Sequence, residues 1–344
     1  MNDFHLPQKR RGTEASTHAF CLALAERGHK VAVACRLLPD GFVGLRHRVA
    51  LRLCGRGWAT DRAAGYPTHR AWYLPGALPE IVAAVRPDAL VMQCGDYGVV
   101  RAAAALDVPV LYLFRFIPGW PEVPRPRRVG YAANSLFCRR RIAEAYGVEA
   151  TAVVRPLVFG HHYRTQVRRE EVTSFGLTED KGADVVLGLA EALPGMRFQV
   201  YANEAARSPS DRALAARAAR LPNLRVTRAK RTGGRLYART RLVLAPSRWE
   251  ETWGRMATEA HVNAIPVLAS DRGGLPEAVG GGGICLPADS PVPVWRDALR
   301  EMWEGAAYDR HVEAARRQAG APHIEPDAIC REFLRAVEGV AGAA

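Results

Sequence analysis

The chain has little lysine, since only four of its 48 basic residues are lysine and the others are arginine. Its seven cysteines are widely spaced and include no Cys-x-x-Cys pair, so neither a zinc site nor a disulfide framework is expected. No uncharged apolar run of about 18 residues occurs, so no membrane-spanning helix is predicted. The start, MNDFHLPQKRRG, lacks the apolar core of a signal peptide, which predicts a cytoplasmic protein.

The positive charge is concentrated in one half of the chain. The net charge is +13, and residues 1–165 carry 23 basic and 12 acidic residues against 25 and 23 in residues 166–344. This asymmetry has two alternative explanations, an anionic partner or drift in surface composition. The cluster Arg125, Arg127 and Arg128 could contact an anionic membrane surface or an acidic acceptor, or form a solvated loop. Nucleic acid is not an expected partner, because charge without a recognition motif does not predict one.

Short apolar segments alternate with longer amphipathic ones along all 344 residues. This order predicts an α/β fold with parallel sheets, and the length predicts two domains. We place the boundary in the polar stretch His161–Glu171, giving domains 1–165 and 166–344. The predicted strands are Lys30–Cys35, Ala89–Gln93, Val108–Phe114, Val129–Ala133, Ala152–Val154, Val172–Phe175, Arg197–Tyr201, Leu224–Val226, Leu242–Ala245 and Ile265–Ala269. Ligands in such sheets bind beyond the carboxyl ends of the strands, so the loops there are the candidate sites.

The segment Ala245–Val279 holds the densest set of candidate functional residues. Glu251 and Glu259 are separated by seven residues across a predicted loop-to-helix junction at Gly254. A helix N-terminus offers N–H groups and partial positive charge, which suits a diphosphate, and glycine lets a ligand approach the backbone closely. Glu259 could bind a ribose diol and Glu251 a sugar. A helix-dipole residue and a solvated helix face are the ordinary alternatives for these two glutamates.

APSRWEETWGRMATEA followed by IPVLASDRGGLPEAV resembles the C-terminal signature of the retaining GT-B glycosyltransferases grouped as family 4. Glu251 and Glu259 correspond to the E-x7-E motif of that family. Residues 178–202 resemble its Lys-Gly segment, in which a lysine, here Lys181, binds the donor diphosphate. Residues 11–33 and 133–158 resemble its opening turn and its last N-domain helix, so the resemblance covers nearly the whole chain.

The resemblance implies a GT-B fold, in which two Rossmann-like domains enclose an interdomain cleft. It implies that the C-terminal domain binds a nucleotide-diphosphate sugar and that the N-terminal domain binds the acceptor. The residues expected at the donor are Gly12, Lys181, Glu251, Trp253, Gly254, Arg255, Met256 and Glu259. Those expected at the acceptor are Thr13, Asp96, Tyr97 and Trp120, although a packed loop is the alternative for Trp120. Lys181, Glu251 and Arg115 are the expected catalytic residues.

Four features depart from the family pattern. Arg11 stands where the opening turn often has its first glycine, and Gly176 stands where an arginine usually precedes the lysine. Arg115 stands where the N-domain strand usually ends at a histidine near the sugar. The first strand is short, because only MNDFHLP precedes the turn.

The sequence contains no Asp-x-Asp motif, so metal-independent chemistry is expected, with no metal or cofactor and the nucleotide sugar as co-substrate. Lys181 and the N–H groups of Gly254–Met256 would then offset the charge of the leaving diphosphate. The resemblance implies retention, with the leaving phosphate helping to deprotonate a hydroxyl of a natural product, lipid or glycan. A nucleotide-sugar-binding protein without turnover is the alternative.

Overall fold

The computed structural model describes residues 1–9, 12–55, 57–202, 208–227 and 233–342, and of Cys54 it describes the backbone only. Arg11 therefore lies outside the described residues. The chain divides into two compact units, of which unit 1 combines Met1–Leu157 with Pro326–Ala344 and unit 2 is Val158–Glu325. Among the helices in the described ranges, none is long and apolar enough to cross a membrane.

Strands and helices alternate along the described chain. The strands are β1 Val33–Arg36, β2 Trp58–Asp61, β3 Thr68–Ala71, β4 Leu90–Met92, β5 Val110–Phe114, β6 Val129–Ala133, β7 Ala152–Val153, β8 Glu171–Phe175, β9 Arg197–Tyr201, β10 Leu224–Thr227, β11 Thr240–Ala245, β12 Val267–Ser270 and β13 Gly283–Leu286. The helices are α1 Gly12–Glu26, α2 Gly41–Cys54, α3 Leu74–Val85, α4 Tyr97–Ala104, α5 Leu136–Tyr146, α6 Gly160–Tyr163, α7 Ala183–Ala192, α8 Pro209–Ala218, α9 Arg255–His261, α10 Leu275–Val279, α11 Val292–Glu301, α12 Gly305–Ala319 and α13 Pro326–Ala341. This is the predicted α/β alternation, and each of the ten predicted strands overlaps an observed one.

Unit 1 contains two sheets, with strand orders β2-β3-β1 and β4-β5-β6-β7. Apart from the antiparallel pair β2 and β3, the neighbouring strands are parallel. The first residues of the chain bond to both sheets. Asn2 donates its backbone N–H to the carbonyl of Ala34 in β1, while the N–H of Gln93, after β4, donates to the carbonyl of Met1. The structure assigns no strand to residues 1–9, where a short first strand was expected, although this segment makes backbone hydrogen bonds to both sheets.

Helix α13 belongs to unit 1 although it ends the chain. The rings of Phe333 in α13 and Phe20 in α1 lie 4.6 Å apart between centroids. Val340 packs over Gly130 in β6 so closely that a Cβ there would lie 2.3 Å from a valine methyl carbon. The observed division therefore differs from the predicted domains, because the first boundary lies eight residues before 165 and the last helix returns to the first unit.

Unit 2 is built on one parallel six-stranded sheet with the order β10-β9-β8-β11-β12-β13. The chain starts in the centre at β8, proceeds outward to β10, and then returns to β11 to build the other half. This is the doubly wound Rossmann order, and its direction reverses between β8 and β11. The apolar core lies against this sheet and includes Trp295 and Phe198, which are almost completely buried. The loops that follow β8 and β11 therefore meet at the switch point, where such sheets bind ligands.

Candidate functional site

The loops after β8 and β11 bring Lys181 and Glu251 together in unit 2. Lys181 ends a 3-10 turn at Glu179–Lys181, and its ammonium donates a hydrogen bond to Oε1 of Glu251. Both side chains are partly exposed, so this ion pair remains accessible to solvent and ligand. The structure therefore joins two residues that the sequence assigned to the donor from segments 70 positions apart.

Gly176 explains how the Lys181 side chain reaches Glu251. Its φ is +98°, in the left-handed region, and a Cβ there would lie 2.7 Å from Cγ of Lys181. An arginine at position 176 would thus be strained in its backbone and would collide with the lysine stem. Glycine at position 176, where the family pattern usually has arginine, therefore leaves room for the Lys181 side chain.

The loop that carries Glu251 is held by the turn that carries Lys181. The backbone N–H groups of Arg248 and Trp249 both donate to the carbonyl of Asp180, at 2.9 Å each. The guanidinium of Arg248 also binds the Asp184 carboxylate, with one Nη2 to Oδ2 distance of 2.7 Å, and these hydrogen bonds lower the pKa of Asp184. The two loops thus form one hydrogen-bonded framework.

The Gly273-Gly274 turn supports the same loop from the other side. Gly273 has φ +63°, and a Cβ there would lie 2.2 Å from the carbonyl oxygen of Glu251. Gly274 donates its N–H to that carbonyl. Glycine is required at 273 because the backbone of Glu251 leaves no space for a side chain, and at 274 because a Cβ would lie 2.4 Å from the Thr252 carbonyl oxygen.

Glu259 lies one helix further on and is buried. The hydroxyl of Tyr237 donates to Oε2 of Glu259 at 2.8 Å, and Nε of Arg255 donates to Oε1 at 2.9 Å. Arg255 in turn donates to the Tyr163 hydroxyl at 2.7 Å. Burial, and then the Glu259 charge, raise the pKa of Tyr237 and of Tyr163, so both stay protonated. The carboxylate is held rigidly, with lone pairs left to accept hydrogen bonds from a diol.

The junction between the two glutamates starts helix α9. Gly254 has φ +96°, and a Cβ there would lie 2.5 Å from Cδ2 of Leu275. Trp253 is buried and donates from its indole N–H to the Thr258 hydroxyl at 3.1 Å. The first N–H groups of a helix lack intrahelical acceptors, so those of Arg255 and Met256 are placed where the sequence predicted a diphosphate. The side chain of Arg255 serves Glu259, whereas the indole of Trp253 packs inside the unit.

In unit 1, Asp96 follows β4, Arg115 and Trp120 follow β5, and Gly12 and Thr13 begin α1. Arg115 follows β5 and is buried. Its Nη1 donates to the Ser16 hydroxyl at 2.8 Å, its Nε donates to Gln93, and its guanidinium carbon lies 5.4 Å from the centre of the Phe20 ring. Arg115 therefore connects β4, β5 and α1, and its role in catalysis stays a prediction.

Thr13 and Gly12 begin helix α1, and the Thr13 carbonyl accepts a hydrogen bond from Thr17. Asp96 caps helix α4, because its carboxylate accepts the Gly98 N–H at 2.9 Å. It also lies 3.7 Å from the guanidinium of Arg36. Thr13 and Asp96 thus have local structural roles, and their contact with an acceptor stays a prediction.

Tyr97 donates from its hydroxyl to Glu122 at 3.2 Å. Trp120 is buried, donates to the Gly95 carbonyl at 2.8 Å, and lies 5.8 Å from Phe114 between ring centroids. This is the packed loop that the sequence left open as the alternative. Acceptor binding by these two rings stays a prediction.

Sequence reasoning missed Tyr237 and Tyr163, which hold Glu259 and its arginine. They come from segments 22 and 92 positions distant from their partners, so no local pattern marks them. It also missed Trp249, which is 58% exposed only two positions before Glu251. Within the described ranges, no group of three histidine, cysteine or acidic side chains is arranged to hold a metal ion.

Comparison with known proteins finds similarity within this part of the chain. A family model described as Glycosyl transferases group 1 matches residues 174–304, which include Lys181, Glu251 and Glu259. The matched segment lies within unit 2. The D-inositol 3-phosphate glycosyltransferase of Mycolicibacterium paratuberculosis (strain ATCC BAA-968 / K-10) is 29% identical over 216 residues, covering 54% of this chain and 47% of that protein. The chain thus spans about half the length of this curated relative.

Solved structures resemble the whole fold. The glycosyltransferase from Rickettsia africae ESF-5 superposes with a TM-score of 0.75 at 12% identity, covering 100% of this chain and 98% of that one. Anabaena Alr3699/HepE in complex with UDP-glucose gives a TM-score of 0.74 at 15% identity, covering 96% and 97%. The chain has the GT-B fold of these glycosyltransferases, as the sequence predicted.

Proposed function

We propose that the chain is a retaining, metal-independent glycosyltransferase of family 4, which transfers a sugar from a nucleotide-diphosphate sugar to a hydroxyl acceptor. The observation that carries the proposal is the pairing of Lys181 with Glu251 at the switch point, in the same unit as the buried Glu259. All three lie in the segment that matches the glycosyltransferase group 1 family. The UDP-glucose complex of a protein with the same fold supports a nucleotide sugar as the donor.

Each residue has a distinct task in this mechanism. Lys181 exchanges its Glu251 partner for diphosphate oxygens, and the N–H groups at the start of α9 bind the same charge. Glu259, held by Tyr237 and Arg255, binds the ribose hydroxyls. Glu251, released from the ammonium, accepts hydrogen bonds from the sugar.

The transfer is balanced without a metal or a protein nucleophile. The bond from the anomeric carbon to the β-phosphate oxygen breaks, and the acceptor oxygen bonds to that carbon on the same face. The acceptor proton passes to the leaving phosphate oxygen. A nucleoside diphosphate is released, and the fixed cations offset its charge as it develops.

A panel of nucleotide sugars tests the proposal. One donor should raise the melting temperature, and with a hydroxyl acceptor it should release nucleoside diphosphate in the presence of EDTA. The product should keep the anomeric configuration of the donor by NMR. Lys181→Ala and Glu259→Ala should strongly reduce release, and full activity in both variants would refute the site. A rise in melting temperature without sugar transfer to small-molecule, lipid or glycan acceptors would favour a binding protein without turnover. Arg115 in place of the family histidine is the feature that motivates this alternative.

A further inference from the structure

Helix α2 exposes a stripe of apolar side chains. Its outward stripe is spaced by three or four residues, so its members share one face at about 100° per residue. The stripe consists of Phe42, Leu45, Val49 and Leu53, whose exposed fractions are 78%, 55%, 50% and 80%. A helix at a protein surface ordinarily turns such a stripe inward. Here the stripe has no partner within the described part of unit 1.

The inner face of α2 is fixed by other contacts. His47 is buried, and its Nε2 lies 3.4 Å from Oδ2 of Asp61, which also accepts a hydrogen bond from Arg70. Gly44 lies so close to the preceding loop that a Cβ there would be 2.5 Å from the Pro39 carbonyl oxygen. These contacts fix the rotation of α2 about its own axis, so the exposure of the stripe follows from how the helix packs.

Arginines flank the stripe on both sides. Arg48 and Arg52 lie on one flank and Arg46 on the other, and all three are exposed. The sequence of α2, GFVGLRHRVALRLC, contains no acidic residue. An apolar stripe between basic flanks fits a helix that lies in the interface of a bilayer, where the arginines reach anionic headgroups.

Two exposed aromatic residues follow β3 at the sheet edge where the segment leading from β1 to α2 also begins. Ala71 pairs with Arg36 in register, so the segments after β3 and β1 start from one edge. Trp72 and Tyr73 follow β3 with exposed fractions of 42% and 71%, and α2 follows β1. Tryptophan and tyrosine are favoured at the boundary between membrane and water.

We propose that the outer face of α2 binds the surface of an anionic lipid bilayer. The apolar stripe enters the boundary between headgroups and acyl chains, and the flanking arginines pair with lipid phosphates. The basic excess of residues 1–165 has the same sign as these flanks. This surface is separate from the Arg125–Arg128 cluster that the sequence suggested, where Arg128 lies 4.0 Å from Asp107.

Vesicle sedimentation of the full chain tests the proposal without donor or acceptor, so its failure would leave the proposed transferase function standing. The chain should bind vesicles of phosphatidylcholine with 30 mol% phosphatidylglycerol about tenfold or more tightly than phosphatidylcholine alone. The double variant Phe42→Gln/Leu53→Gln should weaken binding to anionic vesicles about tenfold or more, since both side chains enter the interface. Arg48→Gln/Arg52→Gln should have a similar effect on anionic vesicles and little on neutral ones.

Control variants remove an apolar side chain or two arginines from the surface of unit 2. Val294→Gln removes an apolar side chain that is 43% exposed in unit 2, and Arg212→Gln/Arg310→Gln removes two exposed arginines there. These controls should bind as the unchanged chain does, and circular dichroism checks that every variant is folded. Equal vesicle binding by the α2 variants and the unchanged chain would overturn the proposal. So would a lack of vesicle binding together with a dimer, seen by ultracentrifugation, that Phe42→Gln/Leu53→Gln dissociates.

Discussion

Lys181 donates a hydrogen bond from its ammonium to the carboxylate of Glu251, although the two residues follow different strands of the unit 2 sheet. Those strands, β8 and β11, are neighbours at the point where the strand order reverses. The pair therefore places a cation and an acceptor of hydrogen bonds side by side where doubly wound sheets bind nucleotides.

Replacing Lys181 by alanine should lower kcat/KM for the nucleotide sugar by about 100-fold to 1000-fold. The ammonium would stabilise charge that develops on the leaving diphosphate, and loss of one such group has effects of this size. The measurement is nucleoside diphosphate release under steady-state conditions. Lys30→Ala, which removes an exposed lysine from unit 1, is the control and should leave kcat/KM unchanged. A loss below threefold in Lys181→Ala would contradict the assigned role.

Removing the Tyr237 hydroxyl should weaken donor binding more than it slows turnover. Tyr237→Phe keeps the ring and removes the donor to Glu259, so the carboxylate loses one of the bonds that orient it. We expect KM for the donor to rise about tenfold with a smaller change in kcat, measured over a range of donor concentrations. Tyr308→Phe is the control, because its buried hydroxyl accepts from Arg169 at 2.8 Å elsewhere in unit 2. Equal donor KM values in the two variants would show that Tyr237 only stabilises the fold.

Much of the fold could be predicted from the sequence because buried parallel strands appear as short apolar runs. Val129–Ala133 and Arg197–Tyr201 were predicted with their observed bounds. The region from α2 to α3 was not predicted. Helix α2 buries Gly44 and His47 and exposes four large apolar residues, a pattern that is not expected for a helix packed on a core.

The candidate site was predictable in its motif and not in its contacts. The spacing of Glu251 and Glu259 and the position of Lys181 are visible in the sequence. The pairing of Lys181 with Glu251, and the support of Glu259 by Tyr237, depend on strand order, which brings distant segments together. Trp120 and Arg115, which the structure buries in unit 1, were assigned to ligands from loop position and family resemblance, neither of which shows burial.

Gly273→Ala should destabilise the protein by about 1–3 kcal/mol and raise the donor KM. The new methyl group would meet the backbone of Glu251, which cannot yield as a side chain can, and the backbone conformation at φ +63° disfavours alanine. Urea unfolding and steady-state kinetics give the two quantities. Gly195→Ala is the control, since a Cβ at Gly195 meets no atom within 4 Å. A fully active and equally stable Gly273→Ala variant would contradict the close approach of this turn to the Glu251 loop.

Acid should destabilise the fold through its buried histidines. Burial lowers the pKa of His261 from 6.5 to about 4, and the hydrogen bond with the Gly282 carbonyl opposes this only in part. Between these two values the unfolded chain binds a proton at His261 that the folded chain does not, so stability falls as pH drops below 6.5 and is insensitive to this residue above it. From pH 7.5 to 5.0 the residue should lower the free energy of unfolding by about 2 kcal/mol.

Urea unfolding at pH 7.5 and 5.0 measures the loss in the free energy of unfolding between the two pH values. In His261→Gln this loss should be smaller by about 2 kcal/mol, because the glutamine side chain has no proton to gain. Burial lowers the pKa of His5 in unit 1 to about 3, so part of the acid sensitivity should persist in the variant. His29→Gln, which alters an exposed histidine, should retain the full difference between the two pH values. If His261→Gln lost as much stability at pH 5.0 as the unchanged chain does, the histidine would have to be protonated in the folded state, which its burial beside Gly282 opposes.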